Sequence, residues 1–72
     1  MMPLTMTKPG YGAVVIRKIS GKDEVRKRLE ELGFLAGEKV TVVSAIAGNL
    51  ILSVKGTRIA LDRSLAQRIL VE

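Results

Sequence analysis

The stretch Lys39–Leu61, KVTVVSAIAGNLILSVKGTRIAL, decides how this chain folds. Its first part, Lys39–Ile46, reads as a strand: Val40, Val42 and Ser44 point one way and Thr41 and Val43 the other, the period-two alternation of a half-buried strand. Gly48-Asn49 is a turn signal. Leu50–Lys55, LILSVK, and Arg58–Leu61, RIAL, are the next two strands. Between them Gly56-Thr57, with glycine first, suits a two-residue type II′ hairpin loop.

Working outward, Ala13–Ile19, AVVIRKI, is a β-branched run that ends in alternation and predicts an earlier strand. Asp23–Leu32, DEVRKRLEEL, has the helical period: Val25, Leu29 and Leu32 share one apolar face and the rest is charged. Asp23 and Glu24 sit where the positive end of the helix favours anions, with the cap somewhere in Ser20–Asp23. Gly33 then takes the left-handed position after the last turn, and Phe34 folds back on the helix in a Schellman-type ending. Downstream, Asp62 caps a short helix running from Arg63 to about Arg68 that buries Leu65, Ala66 and Ile69. Ile69–Val71 closes the structure as a last strand. The expected fold is mostly β: a small SH3-like barrel spanning residues 1–72 as a single domain, with a helix inserted after the first strand and a short C-terminal helix. Closure is attractive because it removes exposed strand edges. An OB-like barrel would satisfy the same order of elements.

The chain has 72 residues, enough for one domain. A domain of this size buries only roughly 60 % of the surface its unfolded chain exposes. There is no cysteine and no histidine, so no disulfide can staple the fold, thiolate chemistry is excluded, and zinc lacks its preferred ligands. Stability must come from the 47 % of residues that are hydrophobic, and with one Phe and one Tyr the core is aliphatic. No apolar run approaches the ~18 residues of a spanning helix, and the start carries no secretory h-region. The expected setting is the cytoplasm.

Catalysis is poorly served. The commonest general base and the best nucleophile are missing. Asp23, Glu24, Glu30 and Glu31 lie on one helix among Arg26, Lys27 and Arg28, where Glu24 with Arg28 and Lys27 with Glu31 are spaced as i,i+4 ion pairs. Glu38 and Asp62 read as turn and cap residues. Pro9-Gly10-Tyr11-Gly12 offers two glycines but no following helix or GK[ST], so it is not a phosphate loop. Met1, Met2 and Met6 are soft groups near a start expected to fray, read as an initiator and gap-filling side chains. No catalytic residue, resident cofactor or metal site is expected. The net charge of +5 suits nucleic acid, an anionic membrane face or an acidic protein partner, and does not choose between them. Arg17, Lys18 and Lys22 could join Arg26, Lys27 and Arg28 in one basic patch, but only Tyr11 and Phe34 could stack on bases.

The segment Arg26–Val43, RKRLEELGFLAGEKVTVV, resembles the FeoA family, small accessory proteins of the bacterial ferrous-iron transporter FeoB. The family pattern is a basic helix, a Leu-x-x-Leu/Met-Gly-aromatic-or-Leu turn, a second glycine and a valine-rich strand. Leu29, Leu32, Gly33, Phe34, Gly37, Val40 and Val42 stand in those places. Leu4 with Pro9-Gly10 is similar to the family's opening. Gly56, Ile59, Ala60 and Leu61 are similar to its turn and following strand, and Ala66, Ile69 and Val71 to its closing pattern. Two loops depart: family members often carry an acidic residue and proline where this chain has Asn49-Leu50, and proline where it has Ala36.

The resemblance implies an SH3-like barrel with no cofactor of its own and a role in ferrous-iron uptake. It also implies docking on the cytoplasmic part of FeoB, near its GTP-binding domain, with no small-molecule substrate. The contact surface expected on this chain is the outer helix face with Arg26, Lys27 and Glu30, the loop residue Leu35, and the hairpin residues Asn49 and Leu50. Leu35 lies in a glycine-bounded loop after Phe34 has filled the helix-end position; it either faces a partner or packs as a satellite of the core. Leu50 has the same two readings. The alternative function is a basic barrel that binds nucleic acid or serves as a transcription-regulatory module.

Overall fold

A computed structural model describes the whole chain, Met1–Glu72. In chain order it contains β1 (Met2–Pro3), a 3₁₀ turn (Leu4–Met6), β2 (Ala13–Ile19), α1 (Asp23–Glu31), β3 (Lys39–Ile46), β4 (Asn49–Val54), β5 (Thr57–Asp62), α2 (Arg63–Ala66) and β6 (Ile69–Val71). The strands form one six-stranded sheet in the order β1-β6-β2-β3-β4-β5, antiparallel at every pairing. This is the mostly-β architecture the sequence predicts, with one strand more. The hydrogen-bonded order is linear, so closure does not remove the edges: β1 and β5 stand at its ends. Helix α2 packs against β4, β5 and the 3₁₀ turn.

The meander β3-β4-β5 owes its register to two tight turns. Ile46 pairs with Asn49 and Val54 with Thr57, so the loop residues are Ala47-Gly48 and Lys55-Gly56, each one position earlier than the sequence suggests. All four have positive φ: 48° and 82°, then 51° and 74°. These are type I′ turns, not type II′. Their twist matches that of the flanking strands well enough to hold Ala47 and Lys55 in the left-handed region, which side chains other than glycine and asparagine disfavour.

Strand β3 is interrupted by a bulge between Val42 and Ser44. The extra residue, Val43, resets the alternation, so Val40 and Val42 are buried while Ser44 is only half-buried. A second bulge in β2 lies between Ile16 and Lys18.

Helix α1 begins after Lys22, which makes no side-chain cap. It ends in a complete Schellman motif. The Phe34 N–H donates to the Leu29 carbonyl at 3.0 Å and the Gly33 N–H to the Glu30 carbonyl at 3.0 Å. Gly33 has φ 107°, open to glycine and strained for other residues. The motif turns Phe34 under the helix against Leu29, and both are fully buried. Leu32 is a correction to the expected apolar face: at the helix cap it is 40 % exposed, because Phe34 takes the core position beneath that turn.

Fifteen buried apolar residues form one core, drawn from the 3₁₀ turn, every strand from β2 to β6, both helices and the α1–β3 loop. Each fully buried aliphatic side chain contributes about 1.5–3 kcal/mol of transfer free energy, which is what stands in for a staple here. The N-terminal segment, expected to fray, is built into the structure: β1 pairs with β6 and Leu4 is fully buried. Met2 packs on the core, but Met1 and Met6 are exposed and fill no gap. Helix α2 is shorter than expected, ending at Ala66. Its cap is as predicted: Asp62 accepts from the Leu65 N–H at 2.9 Å and from the Ser64 hydroxyl at 2.7 Å. Those hydrogen bonds, the one from Ser64 first, hold the Asp62 carboxyl below the ordinary carboxylate range.

Candidate protein-interaction surface

Helix α1 turns its charged side to solvent, and Arg26, Lys27 and Glu30 are all exposed on it. The Arg26 guanidinium contacts the Asp23 carboxylate one turn earlier. Neither Glu24–Arg28 nor Lys27–Glu31 forms an ion pair; at this exposure such pairs are worth little, and water competes for each partner. The face is therefore a row of largely uncommitted charges.

The loop that follows is rigidly held. The Leu35 N–H donates to the Gly33 carbonyl at 3.1 Å, and the Glu38 N–H donates back to the Leu35 carbonyl at 3.0 Å. Gly37 donates to the Ile16 carbonyl at 2.7 Å, and Ile16 to the Glu38 carbonyl at 2.9 Å, which ties the loop to β2. On this scaffold Leu35 is 37 % exposed. Leu32 and Leu35 thus sit either side of the buried Phe34, both open to water, next to the charged helix face.

The hairpin divides differently. Asn49 is exposed, but Leu50 is 2 % exposed and belongs to the core. It lies in phase with Leu52 and Val54, the inward side of β4, and pairs with buried Leu61. Leu50 is therefore not a contact residue. The apolar side chain presented at this turn is Ile46, 62 % exposed, opposite Asn49. Strict alternation from Val40 would have turned Ile46 inward; the bulge at Val43 turns it out, and only the pairing register reveals that. Tyr11 is also exposed, at 67 %.

Of the twelve Lys and Arg side chains, three have ion-pair partners: Arg17 with Glu72, Arg26 with Asp23 and Lys55 with Glu38. No pocket opens into the structure, and it has no group of three or more carboxylates suited to a metal ion. No helix is long and apolar enough to cross a membrane. The surface is basic and is interrupted by exposed Leu32, Leu35 and Ile46, an arrangement suited to contact with another macromolecule.

The FeoA domain model matches residues 2–72. The chain belongs to the FeoA family. A FeoA relative from Methanocaldococcus jannaschii, provisionally named Fe(2+) transport protein A, is 38 % identical over 72 residues, all of this chain and 87 % of that protein. Among solved structures, the crystal structure of a FeoA described as an iron uptake regulatory protein superposes with a TM-score of 0.89 at 31 % identity, covering 99 % of this chain and 93 % of the other. The zinc-complexed FeoA of Stenotrophomonas maltophilia, an SH3 domain protein suggested to act as a ferrous iron transport activating factor, gives 0.80 at 33 % identity over 100 % of this chain and 91 % of the other. The SH3-like fold expected of this chain is thus that of its family, and the Leu29, Leu32, Gly33, Phe34 and Gly37 pattern marks the Schellman turn and tethered loop that carry Leu35.

Proposed function

We propose that this FeoA-family chain is a non-enzymatic accessory protein of ferrous iron uptake. It works in the cytoplasm by docking on the cytoplasmic part of an FeoB-type transporter, near its GTP-binding domain. Family membership and the ferrous-transport designation of its Methanocaldococcus relative support the setting. The observation that carries the docking surface is Leu35, an exposed leucine on a loop pinned to β2, beside exposed Leu32 and the face of Arg26, Lys27 and Glu30. A rigid apolar anchor ringed by solvated charge is the anatomy of an interface: desolvating the leucines supplies affinity, and the charges steer the approach.

The mode of action follows from thermodynamics. A module without chemistry of its own changes a transporter only by binding one of its states better than another. Each tenfold preference shifts that balance by about 1.4 kcal/mol.

The test is to titrate the isotope-labelled chain with the full-length FeoB-type transporter in nanodiscs and follow its backbone amides. Loss of signal confined to α1 and the Gly33–Glu38 loop, persisting at moderate salt, is the expected result. Undisturbed amides there would overturn the docking surface. A parallel titration with an oligonucleotide separates the basic-barrel reading: binding that weakens steeply with salt, in the absence of any response to the transporter, would replace this proposal.

A further inference from the structure

Strand β5 ends the sheet, and its outer edge has no strand beside it. The phase of the β4–β5 ladder shows which backbone groups that edge presents. Val54 and Thr57 flank a two-residue turn, so they form a hydrogen-bonded pair, and so do Leu52–Ile59 and Leu50–Leu61. The next position in that series confirms it, since Arg63 N–H donates to the Gly48 carbonyl at 3.2 Å. The backbones of Arg58, Ala60 and Asp62 therefore face away from β4. All three residues are exposed, and the Arg58 side chain takes no ion-pair partner.

Edge strands are usually blunted by charge. Here the charges have an unusual arrangement: one cation and one anion, of opposite sign, spaced equally on either side of Ala60. A two-fold axis through Ala60 would set β5 antiparallel to its own copy. Ala60 would then oppose Ala60, and Arg58 of each copy would oppose Asp62 of the other. The Asp62 carbonyl is committed to the first turn of α2, so the pairing makes about four backbone hydrogen bonds: two at Ala60 and one from each Asp62 N–H to the facing Arg58 carbonyl. Opposite charges directly across a strand pair are favourable, and the small side chain at the axis lets the two strands meet without a clash. An acidic extended peptide would satisfy Arg58 but would set a like charge near Asp62. A second copy satisfies both.

We propose that the open edge of β5 is a self-association site, pairing two copies of this chain about Ala60 into one continuous sheet. The pairing is isologous, so it consumes both free β5 edges and stops at the dimer. It does not involve the Leu35 surface, and it stands or falls independently of the transporter.

Sedimentation of the purified chain across the micromolar to millimolar range tests it. The wild-type chain is expected to pass from monomer to dimer in that range, and Ala60→Lys, which sets two like charges across the axis at an exposed position, to remain monomeric with unchanged circular dichroism. The register is tested by air oxidation of single-cysteine variants, clean here because the chain has no cysteine. Across the axis the Cα atoms would lie about 5.5 Å apart, within disulfide reach, whereas position 57 would be roughly 20 Å from its copy. Ala60→Cys should therefore cross-link and Thr57→Cys should not. A monomer at every concentration, equal cross-linking of the two variants, or an acidic peptide that adds to β5 of a chain that never dimerises would each overturn the proposal.

Discussion

Phe34 and Leu35 are neighbours in sequence and opposites in the structure, and their substitution by alanine should separate them sharply. Phe34 is fully buried and is the residue the Schellman turn drives under α1 against Leu29. Truncating a buried phenylalanine to alanine costs about 3–5 kcal/mol, through lost transfer free energy and the cavity left behind. At ~0.05–0.15 kcal/mol per residue, a chain of 72 residues has a total stability of roughly 4–11 kcal/mol. Phe34→Ala therefore removes a large share of it. Leu35, 37 % exposed, sits on a loop held by backbone hydrogen bonds, so Leu35→Ala should cost no more than about 1 kcal/mol, from the covered part of its side chain. Urea unfolding followed by circular dichroism reads both. With a slope of ~1 kcal/mol per molar, suited to a small domain, the Phe34→Ala midpoint should fall by about 3 M or more, and that of Leu35→Ala by no more than about 1 M. Should Phe34→Ala not fold at all, Phe34→Leu keeps the comparison measurable, at a cost of about 1.5 kcal/mol. Comparable losses for Phe34→Ala and Leu35→Ala, or a loss below about 1 kcal/mol at Phe34, would refute the division of this segment into core and surface.

Three further outcomes follow from particular residues. Ala47 holds φ 48° in the β3–β4 turn, where asparagine is at home, so Ala47→Asn should raise stability by about 1 kcal/mol in the same urea assay. The Thr7 hydroxyl is buried without a hydrogen-bond partner; Thr7→Val keeps the shape, relieves the desolvation, and should stabilise by about 1 kcal/mol. The Asp62 carboxyl is lowered from its ordinary 3.8 by the Ser64 and Leu65 hydrogen bonds. Because its folded value is below its unfolded one, its contribution is complete above that ordinary value and is lost as pH falls through the lower folded one. Melting temperature against pH should therefore decline less steeply on the acid side in Asp62→Asn, which keeps a capping side chain without a titrating group.

How far the sequence revealed this molecule depends on the kind of signal each residue carries. The ending of α1 was legible in full, because Gly33 followed by an aromatic residue has one common conformational meaning. The strand at Leu50–Lys55 and the Asp62 cap were legible for the same reason: local chemistry and tertiary structure agree there. Strand β1 was not, since two residues, one of them proline, carry no periodicity; it exists because β6 offers an edge. The turns were displaced by one residue because Ala47 and Lys55 are poor left-handed residues, and only strand register forces them into that region. The bulge at Val43 hid Ile46 from the surface reading. Leu50 reads from the sequence as either a contact at the turn or core, and its phase with Leu52 in β4 decides for the core. Of the contact residues expected, Arg26, Lys27, Glu30, Leu35 and Asn49 lie exposed and Leu50 does not. Exposure of Leu35 required the structure, because a glycine-bounded loop does not specify which side of it a leucine will face.

The most direct measurement of the central claim is ferrous iron uptake by cells in which this chain carries Leu35→Asp and accumulates to the wild-type level with an unchanged melting temperature. Docking through Leu35 predicts that uptake falls to the level of cells lacking the chain, because a carboxylate at the centre of the contact would be buried there without a partner. Wild-type uptake by the Leu35→Asp cells would contradict it.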